Sequence, residues 1–314
     1  MSRRSLSRLI LLLVALAPAA SSAQAWLPDK GSFNATFLIN DILNEQHWTS
    51  DGGTVGGTRV ESQTYALLGT YGLTDRWMVS ASLPFVNTHY SGPPSHGGAP
   101  GFDVDDGDEH GSWTDLRVGL HFQALEQPFA LAPFVAYVTP ISDYYYRGHA
   151  AQGRNVYETL IGFSAGKSLD PWLRRTYAQM RYSYAFVEKV LGEVHDRDNL
   201  GLEIGTFITS RWNVSAYGQF QWTHGGLSDI PPSGPYFLNH DSLLQSEYFN
   251  AGLGTGFAVT PDMTVFMMYM HGFEGRNDHR LNRGLTLGLS YGFRPRAGAV
   301  LSDAEAVLSD AEEP

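Results

Sequence analysis

Residues 285–293 read LTLGLSYGF: Leu285, Leu287, Leu289, Tyr291 and Phe293 alternate with Thr286, Gly288, Ser290 and Gly292. A period of two belongs to a β-strand, whose successive side chains point to opposite faces. One face is large and apolar, the other small. In a soluble sandwich the apolar face would pack on a second sheet, whereas in a membrane barrel it meets lipid and the other face lines the interior.

The pattern recurs upstream. In Trp113–Ala124, the residues Leu116, Val118, Leu120 and Phe122 share one face and Asp115, Arg117, Gly119, His121 and Gln123 the other. In Trp212–His224, Val214, Ala216, Phe220 and Trp222 oppose Asn213, Ser215, Tyr217, Gln219 and Gln221. Twelve such segments are predicted: Ser32–Leu43, Thr58–Tyr71, Trp77–His89, Trp113–Ala124, Phe129–Pro140, Val156–Lys167, Thr176–Glu188, Asn199–Thr209, Trp212–His224, Gln245–Val259, Met263–Gly272 and Arg283–Phe293. Facing is not assigned for Thr58–Tyr71, Phe129–Pro140 and Met263–Gly272. Short connections with Pro, Asp and Gly turn chemistry alternate with long polar ones near 44–57, 90–112, 141–155, 189–198, 225–244 and 273–282. Short periplasmic turns and longer extracellular loops are what outer-membrane barrels require.

Composition agrees. The 314 residues are 43% hydrophobic and 13% aromatic, with 34 Gly, but no run after the N-terminus approaches the about 20 apolar residues of a spanning helix. Arg3, Arg4 and Arg8, then the apolar Leu9–Ala17, then Ala23-Gln-Ala25 read as a signal peptide cleaved after Ala25. Aromatics at strand ends (Trp48, Trp77, Tyr90, Trp113, Tyr144 to Tyr146, Trp172, Trp212, Trp222, Phe293) read as interfacial girdles. The chain has no cysteine, so closure of the sheet must stand in for disulfides. A formal charge of −11 argues against nucleic acid, which calls for a basic stripe.

The fold expected is therefore all-β: a transmembrane antiparallel up-and-down β-barrel of about 12 strands over 26–293, between a signal peptide (1–25) and an acidic periplasmic tail (294–314). The tail repeats Leu-Ser-Asp-Ala-Glu at 301–305 and 308–312. Each copy could cap a short helix, but so few apolar residues favour disorder.

Tyr71-Gly-Leu-Thr-Asp-Arg-Trp77 with Val79-Ser-Ala-Ser-Leu-Pro-Phe-Val86 resembles the turn and strand of the outer-membrane family named for the meta-pathway of phenol degradation. Trp113-Thr-Asp-Leu-Arg-Val-Gly-Leu120 stands where that family has a Gly-Asp pair opening a strand, and Gly162-Phe-Ser-Ala-Gly-Lys-Ser-Leu169 resembles its strand before a periplasmic turn. The resemblance covers most of 60–293. Trp113-Thr114 replaces a Gly-rich lead-in, and the residues after Phe293 are a further departure, since a terminal aromatic of this kind resembles an assembly signal that usually ends the chain. The resemblance implies a barrel that passes small, often aromatic or hydrophobic, compounds across the outer membrane.

Candidate site residues follow from facing. Asp115, Arg117, His121, Glu158, Arg181 and Glu203 are the expected charges of the interior, either a ring that orients a permeant or pairs that satisfy one another. Asp103, Asp105, Asp106, Asp108 and Glu109 could chelate a cation such as Ca²⁺, though without the spacing of an EF-hand; the alternative is a solvated loop sharing divalent ions with lipopolysaccharide. His224 with Ser228, and His240 with Ser242, pair residue types that nucleophilic catalysis uses, but their surroundings do not resemble the motif of the outer-membrane phospholipase.

Twelve strands lie between barrels filled by side chains and those with an open aqueous channel. The expectation is a narrow, side-chain-gated path that works without cofactor or catalysis. Expected partners are outer-membrane lipid and lipopolysaccharide, a small-molecule permeant and the barrel-assembly machinery, with no nucleic acid. The alternatives are a structural barrel whose loops 90–112 and 225–244 bind something outside the cell, and a barrel-borne lipid hydrolase.

Overall fold

The computed structural model describes residues 25–294; the expected signal peptide and acidic tail lie outside the described residues. Fourteen strands run in chain order: β1 (Phe33–Trp48), β2 (Thr54–Gly72), β3 (Trp77–Ser91), β4 (Glu109–Trp113), β5 (Asp115–Phe122), β6 (Ala130–Pro140), β7 (Glu158–Ser168), β8 (Thr176–Val187), β9 (His195–Phe207), β10 (Trp212–Gly225), β11 (Glu247–Ala258), β12 (Met263–Arg276), β13 (Asp278–Arg280) and β14 (Arg283–Phe293). β4 and β5 both pair with β3, and β13 and β14 both pair with β1, so each couple is one stave and the staves number twelve. All neighbours are antiparallel, and β1 pairs with both β2 and β14, which closes the barrel. Among the described residues no helix is long and apolar enough to cross a membrane.

Closure follows from where the apolar side chains sit. Leu287, Leu289, Tyr291 and Phe293 are exposed on the outer surface, as are Val118 and Leu120 on β5, while Thr286 and Ser290 are buried within. Oxygens on the inner face pair across the closing seam, Thr36 with Ser290 at 2.5 Å and Thr286 donating to Asn40 at 3.0 Å. A sheet with this greasy exterior is at rest only in lipid, and there an open edge would leave backbone groups unpaired at several kcal/mol each. The outward alternation also settles the three unassigned strands: Tyr65 and Leu67, Val135 and Tyr137, and Val265 and Met267 face out.

In the stave made of β4 and β5, parity changes at Thr114. From Phe85↔Trp113 to Ser82↔Arg117 the ladder advances three residues on β3 but four on its partner, which is a β-bulge. The extra residue falls opposite Pro84, which has no N–H to offer the ladder; its carbonyl accepts from Thr114 N–H at 3.1 Å. Trp113 therefore faces out while Thr114 and Asp115 both face in.

Three expected long loops are corrected to short hairpin tips. β1 and β2 continue to Trp48 and from Thr54, β9 starts at His195, and β12 and β13 flank residue 277, leaving connections of 49–53, 188–194 and 277. Beyond the lipid both faces of a hairpin can be polar, as with Arg59 bonded to Glu45 and Glu61, so the period of two loses its contrast and reads as loop. The long loops are 92–108, 141–157 and 226–246. They contain two short 3₁₀ turns, Ser95–Gly98 and Asp103–Asp105, and the helices α1 (Pro235–Leu238) and α2 (His240–Leu243).

Candidate functional site

The inner wall is built by laying aromatic rings flat. Phe266 on β12 and Gly288 on β14 are direct cross-strand partners, and a Cβ at Gly288 would come 2.0 Å from the Phe266 ring. Tyr177 covers Gly205 on β9 in the same way, and Tyr217 covers Gly254 on β11 diagonally. A glycine beside an inward aromatic lets the ring lie along the sheet instead of across the lumen. The wall thus offers aromatic faces while the lumen keeps its width.

All six charges expected in the interior lie on inward positions of their strands. Arg117 and Glu158 stand close enough for their charges to act on one another, as do Arg117 and Arg181. The Arg181 guanidinium lies 3.7 Å over the Phe134 ring and only 3.5 Å from Ser164 Oγ. His121 Nε2 meets Ser80 Oγ at 3.0 Å. Nearer the short-turn end, Glu203 accepts from Tyr177 O–H at 2.5 Å and from Gln179 Nε2 at 2.8 Å. Asp115 accepts from Tyr144 O–H at 2.6 Å. Asp115 and Glu203 are therefore each bonded locally, whereas Arg117 keeps a buried Nη2 without a hydrogen-bond partner.

Five members of this network lie outside the expected set: Arg197, Arg154, Asp278, Ser246 and Tyr144. Glu158 is paired with Arg197, the side chains being 14% and 8% exposed. Arg154, from the 141–157 loop, lies within electrostatic reach of Arg197, Glu158 and Asp278 on β13. Ser246 donates to Asp278. Tyr144 belongs to the same loop. The strand holding Arg197 starts four residues before its expected first residue, Asn199, and the successive charges Asp196, Arg197 and Asp198 give no contrast between faces to mark it.

Both ends of the lumen are occupied by chain. At the long-loop end Val156 packs with the inward Phe134, Ala136, Leu160, Ala185 and Val187, and Val104 and Ala150 pack on Val60 and Tyr90. Trp48, Tyr90 and Tyr144 are accordingly buried and do not belong to the expected girdle, unlike Trp77, Trp113, Trp172 and Trp212. Their aromatic character at strand ends looks the same in sequence, but they fill the mouth beneath the loops. At the short-turn end Gln123 donates to Ala25 O at 3.2 Å and accepts from Leu27 N–H at 3.0 Å, and a Cβ at the inward Gly166 would strike Ala25 and Trp26.

The acidic stretch does not converge on one point. Asp105 turns inward and accepts the N–H groups of His149 and Ala150 at 2.8 and 2.9 Å. Burial raises its pKa against the pull of those bonds. Asp106 holds His110 at 2.9 Å, while Asp103, Asp108 and Glu109 are exposed. Among the described residues the group of metal-ligating side chains that does come together is His47, His149 and His279. Burial and neighbouring imidazoles lower His149 to about 3 and His96 to about 4, so both are neutral at physiological pH.

The Ser and His residues weighed for catalysis have other partners. His224, one residue before the end of β10, lies on the outer face and bonds Asp198 at 2.5 Å. Ser228 Oγ donates to Asp229 at 3.4 Å. His240 Nδ1 meets Phe237 O at 2.5 Å, and Ser242 donates to Arg154 O at 3.3 Å.

No family model matches the chain, and no curated protein matches it in sequence. Among solved structures, the COG4313 outer membrane channel from Pseudomonas putida F1 superposes with a TM-score of 0.66 at 13% identity, over 87% of this chain and 100% of that one. The fold is that of a bacterial outer-membrane barrel. Other matches are looser: the CymD monoaromatic hydrocarbon channel has a TM-score of 0.43 at 13% identity, over 88% of this chain and 94% of that one. The KdgM porin has 0.44 at 8%, over 84% of this chain and 99% of that one. In an outer-membrane barrel of this kind the long-loop end faces outside and the short turns face the periplasm.

Proposed function

We propose that this outer-membrane barrel is a passive channel for small aromatic or hydrophobic molecules, with a preference for those that carry a negative charge. The observation that supports it is the inner wall: Tyr177, Tyr217 and Phe266 laid flat over glycines, with the guanidiniums of Arg117 and Arg181 facing the same space. Glu158, the anion beside Arg117, is already held by Arg197. A permeant carboxylate would supply Arg117 Nη2 with its missing acceptor and relieve the repulsion between two cations. Its ring would slide along aromatic faces. The loops at one end and Trp26 and Leu27 at the other make the path gated, and diffusion down a gradient needs neither nucleotide nor cofactor.

Similarity of fold to a COG4313 outer membrane channel, and the resemblance of 60–293 to the phenol meta-pathway family, favour the same reading. Its partners in this reading are the permeant, the lipid and lipopolysaccharide around the belt, and the machinery that assembles the barrel.

Planar-bilayer recording tests it. The wild-type channel should conduct with anions preferred. Replacing Arg117→Glu and Arg181→Glu together should move the reversal potential toward that of a cation-selective pore, because fixed charges in a narrow lumen are weakly screened. Unchanged reversal potentials in a conducting barrel reject the assigned role of the two arginines. A folded barrel that never conducts rejects the channel itself in favour of a structural role.

A further inference from the structure

Three imidazoles from separate segments meet beneath the outer loops. His47 on β1 and His279 on β13 are direct cross-strand partners, with ring centroids 4.1 Å apart. His149, carried by the 141–157 loop, brings its ring to 4.6 Å from His47 and 5.8 Å from His279. One nitrogen of each can be chosen so that all three lie within 4.8 Å of one another. His279 Nδ1 is buried with no hydrogen-bond partner. His47 spends Nε2 on Thr58 Oγ1 at 3.2 Å, which leaves Nδ1 to act as the second site of that ring. A buried imidazole nitrogen without a partner is costly unless a ligand satisfies it.

We propose that His47, His149 and His279 together bind one first-row transition-metal dication, and that the ion clamps the 141–157 loop to the β1–β13 rim. Imidazole nitrogen suits zinc, copper and nickel, whereas calcium and magnesium prefer oxygen. Zinc with three or four such ligands takes Zn–N distances of about 2.0–2.1 Å, which puts ligand nitrogens about 3.4 Å apart. The triad must contract modestly to reach that.

The backbone around His149 is fixed as a ligand's would be. Asp105 takes the N–H groups of His149 and Ala150, and Asp241 takes that of Gly148 at 2.8 Å. Outer partners that orient a ligand raise its affinity. His96, whose ring stacks 4.9 Å from His149 and whose Nε2 is buried without a partner, stands beside the triad as the candidate fourth ligand. The same loop carries Tyr144, Arg154 and Val156 into the lumen, so a metal at its tip governs how firmly the mouth is filled.

The test uses the untagged full chain in detergent, freed of metal with a chelator and titrated with zinc chloride. Calorimetry should give one equivalent bound, and zinc should slow proteolysis within 141–157 several-fold, an effect that chelator reverses. His149→Gln, a loop substitution, should weaken binding at least 100-fold and abolish the protection, as should His47→Gln with His279→Gln. Substitution of the exposed Asp103→Asn and Asp108→Asn should leave both readouts as in the wild type. Each variant is first checked for the compact band of unheated samples; if the double variant lacks it, His149→Gln alone carries the comparison. No zinc uptake by the wild type, or equal uptake by His149→Gln, overturns the proposal. Neither result depends on whether the barrel conducts.

Discussion

Deleting residues 285–314 is expected to abolish the compact, heat-modifiable barrel, while deleting only 294–314 is expected to leave it in the outer membrane. β14 is held on both sides, by β1 from Phe33↔Phe293 to Leu43↔Arg283 and by β12 from Met263↔Tyr291 to Met270↔Gly284. Without it the edges of β1 and β12 would stand open in hydrocarbon, where each unpaired backbone group costs several kcal/mol. Inside, Asn34, Thr36 and Asn40 would lose Ser290 and Thr286. Few other interactions in a chain this size could offset so many losses at once, since net stability is about 5–15 kcal/mol. Gel mobility of unheated samples decides it. Loss of the compact band on removing 294–314 alone would mean that the tail, and not the strand ending at Phe293, completes the barrel.

What made the closing strand legible is contrast between its two faces. LTLGLSYGF sits within the lipid belt, where outward residues must be apolar, so period two survives in the sequence. The inward set Asp115, Arg117 and His121 was legible for the same reason, because the bulge at Thr114 precedes them and leaves the parity of β5 intact. Above the belt the constraint vanishes. Asp196-Arg197-Asp198 is charged on both faces, and Arg197, the partner of Glu158, reads as loop. Trp48, Tyr90 and Tyr144 cannot be told from girdle residues until the loops are folded over them. The histidines at 47, 149 and 279 share no spacing at all. They meet because the barrel closes β13 onto β1 and a loop folds inward, and neither event is written locally.

Breaking the pair between Glu158 and Arg197 is expected to destabilise the barrel, and the two halves should not be equivalent. Both side chains are largely shielded, and removing one partner of a buried pair typically costs about 3–5 kcal/mol because a charge is left behind. Arg197→Gln leaves Glu158 with Arg117 still beside it. Glu158→Gln strands more, since Arg117, Arg197 and Arg154 all draw on that carboxylate. It should therefore be the more damaging substitution, and the double variant Glu158→Gln/Arg197→Gln should be less damaged than the two single losses added together. Urea titration of the compact band gives the three differences, and their departure from additivity is the coupling energy. Additive losses, or a milder effect for Glu158→Gln than for Arg197→Gln, would mean that water reaches these groups and screens them, so that the upper lumen is wet and not a dry, charge-paired constriction.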